Sequence, residues 1–263
     1  MSKKALVVVS FGTSHSDTRK KTIEICENEL RKSFLEYDFF RAWTSKMIIK
    51  KIKNRDNEEI LFPDELMDML CKKGYDEVYI QSLHLICGEE YNKLLDIINS
   101  YKKRFSKICI GRPLLSTLED YKYIAEFIDI KSKKDIENDF KKEYSAVVWM
   151  GHGTEHIAHS SYAALDYRLR VKESPAFIGT VEGYPEIEDV LFFLEKNNIK
   201  KVHLRPLLLV SGDHAKNDMA GNNDKSWKKI LEKKGFEVEV HLEGIGQFDE
   251  IQRKFVENLK DEL

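Results

Sequence analysis

The stretch "VVWMGHGTEHIAHSSY", residues 147–162, sets His152, His156 and His159 beside Glu155 directly after an apolar run. Imidazoles at that density can ligate a metal or move a proton near neutral pH. His152 through His156 spells H-x-x-E-H, a zinc-peptidase signature, but that chemistry needs both histidines on one face of a helix. Gly151 and Gly153 bracket His152 behind a β-branched run, which predicts a strand-to-helix turn instead. The same letters begin like a G-x-G-x-x-G dinucleotide loop, yet His156 stands where the third glycine belongs.

Two other apolar runs end in ionisable residues. Glu182 follows "AFIGTV", and Asp213-His214 follows "LRPLLLVSG". His152, Glu182 and His214 at three strand ends make a borderline ligand set for divalent first-row metals. A plainer reading stays open, in which Glu182 is a solvated loop acid or caps a helix starting near Tyr184-Pro185. His84 lies within a strand and reads as a core or cleft-lining residue. His203 and His241 sit in strands without distinguishing company. No Ser/His/Asp set has the context of a nucleophile elbow.

The elements that must position these groups alternate. Apolar, β-branched runs at 5–10, 39–43, 77–83 and 107–110 are followed by others at 146–150, 176–181, 202–210 and 238–241. Helical spacing fills the gaps, as at 91–98 and 190–194. Strand–helix alternation with doubly buried strands predicts parallel sheets covered by helices. The halves also superpose in sequence. "VVVSFGTSH" matches "VVWMGHGTEH", with Phe11 on His152, Gly12 on Gly153, Thr13 on Thr154 and His15 on His156. "QSLHLICGEEY" matches "RPLLLVSGDHA", with Glu90 on His214 and Leu208 on His84. His15 and His156 therefore share a local role near a helix start, while His152 and His214 have no histidine counterpart. The expected fold is α/β: two similar doubly wound parallel-sheet domains, an internal duplication, facing a central cleft where such sheets bind ligands. Residues 1–130 form the first domain and 131–263 the second, which carries the metal site; the C-terminal helix from near Asp249 is free to pack back on the first. The lysine-rich stretch 131–142 reads as a solvated connection.

Composition narrows the class. The 263 residues are 42% hydrophobic and 33% charged with a formal net charge of −2, which argues against a nucleic-acid binder. Cys26, Cys71, Cys87 and Cys109 are scattered, as expected of free thiols in a reducing compartment. The apolar run after Lys3-Lys4 is too short for a signal peptide, and nothing approaches a membrane span. The final Lys-Asp-Glu-Leu spells a retention signal that has no meaning without export. The expectation is a cytoplasmic protein.

Six blocks in order, "KKALVVVSFGTSHSDT", "FRAWTSKMIIKKI", "IQSLHLICGEEY", "MGHGTEH", "VEGYPE" and "LRPLLLVSGDHAKNDM", resemble the anaerobic cobalt chelatases, a class II chelatase family. The blocks run from Lys3 to Met219. The resemblance implies two similar α/β domains around a cleft and a lyase that inserts Co²⁺ into sirohydrochlorin, or precorrin-2, in anaerobic cobalamin biosynthesis, with release of two protons. Insertion of iron or nickel into the same ring, or a non-catalytic tetrapyrrole or metal carrier, are the alternatives. It implies that His152 is metal ligand and base for a pyrrole proton, that Glu182 and His214 complete the metal site, and that His214 shares the catalysis. Ser10, Phe11, Gly12 and Thr13 would lie beside the macrocycle, with His84, Glu89 and Arg41 also contacting substrate. Phe11 would press on the ring face opposite the metal. Arg41, Lys46, Arg112 and Arg205 stand near strand ends as candidates for the substrate's carboxylates. Gly183 and Cys87 depart from bulkier or polar family residues, which affects local pocket shape but no ligand. The divalent metal is substrate, no organic cofactor is called for, the partners are the tetrapyrrole and Co²⁺ without nucleic acid or membrane, and a homo-oligomer is allowed.

Overall fold

The computed structural model describes residues 2–263. They form two compact units, one of residues 2–116 with 246–263 and the other of residues 117–245. In the first unit the strands are β1 (Lys4–Ser10), β2 (Asp38–Trp43), β3 (Glu77–Ser82) and β4 (Lys107–Gly111), with helices α1 (Ser16–Lys21), α2 (Ile23–Ser33), α3 (Lys46–Asp56), α4 (Pro63–Lys72) and α5 (Glu89–Tyr101) between them. The second holds α6 (Leu118–Asp135), β5 (Ser145–Gly153), α7 (Ser160–Val171), β6 (Ala176–Glu182), α8 (Ile187–Lys196), β7 (Lys201–Leu207), α9 (Trp227–Lys233) and β8 (Glu237–Val240). The last helix, α10 (Asp249–Lys260), returns to the first unit.

Each unit contains one four-stranded sheet, ordered β2-β1-β3-β4 in one and β6-β5-β7-β8 in the other, and every pairing is parallel. Position for position this is the same strand order, as a duplicated unit requires. The central strands are apolar because helices cover both their faces. On β1, Ala5, Val7 and Val9 pack with Leu66, Met67 and Leu70 of α4 and Leu94 and Ile98 of α5. On β5, Ala146, Val148 and Met150 pack with Val190 and Leu194 of α8 and with Trp227 and Leu231 of α9. Each such Val, Leu, Ile or Met side chain contributes roughly 1.5–3 kcal/mol on burial, so the strand ends are held by rigid scaffolds.

The boundary falls before residue 130. Helix α6 belongs to the second unit because Ser132 accepts a hydrogen bond from the Trp149 indole at 2.9 Å and Phe127 packs edge-on against the same ring. The stretch 131–142 is therefore partly the end of α6 rather than a solvated connection. Helix α10 buries Ile251, Phe255 and Leu259 in the first unit. Its Asn258 donates to the carbonyls of Arg112 and Pro113, both at 3.1 Å.

Candidate metal centre

His152 is not in a turn. β5 continues through Gly151-His152-Gly153, and the imidazole projects from the penultimate strand residue. The two flanking glycines make this possible. A Cβ on Gly151 would lie 2.5 Å from the Tyr162 ring, and one on Gly153 would lie 1.6 Å from the Glu182 carbonyl oxygen. Gly153 also adopts φ +78, a left-handed conformation that suits glycine. The close approach of β5 and β6 at Gly153↔Glu182 sets Glu182 beside His152. The Glu182 carboxylate stands 3.9 Å from His152 Nδ1. Beyond it the chain turns at Gly183, and Thr180 binds back to the Pro185 carbonyl through both its amide, at 2.7 Å, and its hydroxyl, at 3.0 Å. Helix α8 begins at Ile187, with Glu186 as its cap, so Glu182 has no capping role.

β7 stops at Leu207, and residues 208–210 bend away. His214 then opens a π-helical turn, His214–Met219, a local irregularity found often at functional sites. Its ring meets that of His152 edge to face, with centroids 4.4 Å apart and planes at 86°. His152, Glu182 and His214 thus gather around His152 and are all partly exposed to solvent.

The hydrogen bonds fix the tautomers. His152 Nδ1 lies 3.0 Å from the Gly153 carbonyl and His214 Nδ1 lies 2.6 Å from the Asp218 carboxylate. Carbonyl and carboxylate oxygens only accept, so both protons sit on Nδ1 and both Nε2 lone pairs are available to an ion. Glu182 presently flanks the protonated side of His152, so joint ligation of one ion calls for a side-chain rotation. Asp218, which the sequence reading missed, orients His214; its i, i+4 spacing from His214 was the available signal.

The first unit carries the remaining expected residues. Ser10 is buried and its hydroxyl has no partner, whereas Phe11 is half exposed. Gly12 takes φ +89, and a Cβ there would stand 2.6 Å from the Trp43 ring. Thr13 Oγ1 accepts from the His15 amide at 3.2 Å, and Thr154 Oγ1 accepts from the His156 amide at 3.1 Å. This local device recurs in both units, and each histidine stands at the N-cap position of the helical turn that follows, where His156 Nδ1 accepts from the Ala158 amide at 3.1 Å. His84 Nδ1 pairs with Ser82 Oγ at 2.8 Å while its Nε2 is enclosed without a partner. Burial of the imidazole pushes it down to about 4. Glu89 begins α5 and is exposed, 3.0 Å from Lys93.

Arg41 departs from expectation. It lies within β2, where Glu27 engages it through both oxygens, with Nε–Oε1 at 2.7 Å, and Glu24 and Glu58 stand at 3.8 Å. The guanidinium is consumed by its own chain. Arg205 is likewise buried against Asp135 and Glu243, and Arg112 pairs with Asp261 at 2.7 Å. Lys46 lies over the Phe62 ring at 4.6 Å. His203 and His241, read as lacking company, face each other: His203 Nδ1 is 3.0 Å from His241 Nε2.

No helix among the described residues is long and apolar enough to cross a membrane. The family described as cobalt chelatase (CbiK) matches residues 4–263. A curated relative from Salmonella typhimurium, named sirohydrochlorin cobaltochelatase, is 40% identical over 261 residues, which cover 99% of this chain and 97% of the relative. A second, sirohydrochlorin cobaltochelatase CbiKC from Nitratidesulfovibrio vulgaris, is 31% identical over 95% of this chain and 86% of its own. Among solved structures, SirB from Bacillus subtilis with Fe3+ is similar in fold, with a TM-score of 0.64 at 14% identity, covering 98% of this chain and 95% of SirB. DR2241 from Deinococcus radiodurans, described as similar to chelatases, gives a TM-score of 0.62 at 12% identity over 98% of this chain and 55% of its own.

Proposed function

This chain belongs to the cobalt chelatase family and is a metal chelatase acting on a tetrapyrrole, and we propose that His152, His214 and Glu182 hold the Co²⁺ it inserts. The reaction is insertion of Co²⁺ into sirohydrochlorin in cobalamin biosynthesis. The observation that carries the site assignment is the pair of imidazoles whose Nδ1 protons are committed to the Gly153 carbonyl and the Asp218 carboxylate.

The chemistry suits that pair. An incoming ion must exchange water for imidazole nitrogen and later exchange imidazole for ring nitrogen. Neutral histidine binds divalent ions without the tenacity of a thiolate set. Glu182 offsets part of the ion's charge beside His152. As the ion is taken over by the four ring nitrogens, the two that carry N–H must surrender their protons. An Nε2 lone pair released by the departing ion can receive one, so one imidazole serves as ligand first and base second. Release of two protons matches two such imidazoles. In the first unit, the exposed Phe11 ring offers apolar surface to a macrocycle, next to Gly12 and the enclosed Ser10 and Thr13. His84 and Glu89 are further substrate contacts. Arg41 is left out of this set because its charge is already paired.

The test mixes purified protein, sirohydrochlorin and Co²⁺ without oxygen and follows the absorption spectrum. Many turnovers per chain are expected. A single stoichiometric change would indicate a carrier, and full activity in both His152→Ala and His214→Ala would remove these histidines from the mechanism.

A further inference from the structure

The face of the second sheet bearing His203 carries a set of donors that the chelation site does not use. Strand alternation puts Lys201, His203 and Arg205 of β7 on one face, and Glu239 of β8 with His241 and Glu243 beyond it on the neighbouring row. His203 Nδ1 lies 3.0 Å from His241 Nε2 and 3.9 Å from a Glu239 oxygen, while His241 Nε2 lies 3.7 Å from the other. Donor atoms around a tetrahedral ion with bonds near 2.0–2.1 Å are about 3.3 Å apart. The two imidazoles meet different Glu239 oxygens, but one donor atom from each of the three residues lies within 4.8 Å of the others, so a small turn of the carboxylate closes the triangle on an ion.

We propose that His203, His241 and Glu239 form a second divalent metal site, of the Zn²⁺ class, that fastens the edge strand β8 to β7. Beyond the donors, Asp139 accepts from His203 Nε2–H at 2.9 Å. That bond places the His203 proton on Nε2 and leaves Nδ1 as a lone pair aimed at the site, the orienting carboxylate that metal-binding histidines commonly have. Lys201 Nζ also donates to Asp139, at 2.6 Å, which fixes that carboxylate behind His203.

Without an ion, His241 donates its Nε2 proton to His203. Ion binding transfers that proton through water to His241 Nδ1, so the imidazole stays neutral and both donor nitrogens become lone pairs. The surrounding charge permits a cation. Asp135, Asp139, Glu239 and Glu243 outnumber the cations beside them, Lys201, Arg205 and Lys131. Lys201 sits 3.0 Å from Glu239 and 2.6 Å from Asp139, and it keeps the Asp139 contact when Glu239 turns to the ion. The Glu239 side chain is half exposed, which gives an ion a way in and leaves a fourth position for water.

Equilibrium dialysis of the full chain against Zn²⁺ near protein concentration, above pH 7, tests this. The wild type should bind two ions per chain, His152→Ala/His214→Ala one, His241→Ala one, and the combined variant none. Glu239→Gln should weaken the second ion by at least tenfold. His241 is near the surface, so its variant should keep native circular dichroism and an unchanged insertion rate. Undiminished Zn²⁺ stoichiometry in folded His241→Ala overturns the proposal. Failure of the chelation-site assignment reads differently: His152→Ala/His214→Ala would then bind as many ions as wild type, while His241→Ala still loses one.

Discussion

His214 donates its Nδ1 proton to Asp218 at 2.6 Å across one π-helical turn, and this single contact decides which nitrogen faces an incoming ion. Carboxylates that orient metal-binding histidines are typically worth about 10–100-fold in affinity or activity. Asp218→Ala should therefore lower the cobalt insertion rate by about that factor and raise the KM for Co²⁺. Asp218→Asn, whose amide oxygen still accepts, should recover part of it. Because both groups are near the surface, urea midpoints should barely change. An unchanged KM for Co²⁺ in Asp218→Ala would show that the contact is incidental.

Gly153 is where the backbone of one strand end touches the other. With φ +78 and a Cβ position 1.6 Å from the Glu182 carbonyl, Gly153→Ala must push β5 and β6 apart. Backbone strain of this kind costs about 1–3 kcal/mol, before the displaced packing is counted. The expected result is a lower urea midpoint together with a loss of insertion larger than the stability change explains, since Glu182 moves away from His152. Gly235→Ala is the control: its φ of +88 is equally unfavourable, but a Cβ there meets nothing within 4 Å. It should lose stability without losing rate in the folded enzyme.

Much of this was legible in the chain. Apolar, β-branched runs marked the place of every strand, and the glycine-marked repeat anticipated a duplicated α/β unit, which the two sheets of one strand order match. The matched Thr-x-His turns show why: short-range hydrogen bonds at 3.2 and 3.1 Å repeat wherever the local sequence repeats. Long-range pairings left weaker traces. His203 and His241 meet only because parallel register sets β8 beside β7. The fate of Arg41 depends on Glu27 in the preceding helix α2, whose facing toward β2 the sequence does not announce, and a strand arginine carries no mark of being spoken for. The unit boundary was misplaced because lysines on the exposed side of α6 masked the Ser132 contact with Trp149.

Arg41 yields a prediction of the opposite kind from a substrate contact. Burial raises the Glu27 carboxyl, and its bonds to Arg41, with a smaller pull from Arg19, oppose that rise. Removing one member of a buried pair leaves a stranded charge at a cost of about 3–5 kcal/mol. Arg41→Met should thus lower the urea midpoint sharply. The folded fraction should retain its KM for sirohydrochlorin. A KM raised tenfold at unchanged stability would return Arg41 to the substrate site.

His84 ties stability to pH. Burial drops the imidazole from 6.5 to about 4, so the folded chain keeps it neutral where the unfolded chain protonates it. A depressed folded value contributes stability that is complete above about 6.5 and is lost as pH falls toward 4. Two to three pH units correspond to about 3 kcal/mol. The group to compare is His84→Asn, whose amide can keep the Ser82 contact without titrating. Urea midpoints of wild type and His84→Asn should differ by a constant amount above pH 6.5 and diverge in favour of the variant between there and pH 4. Parallel curves across that interval would mean that water reaches Nε2 and that the imidazole titrates as an exposed one does.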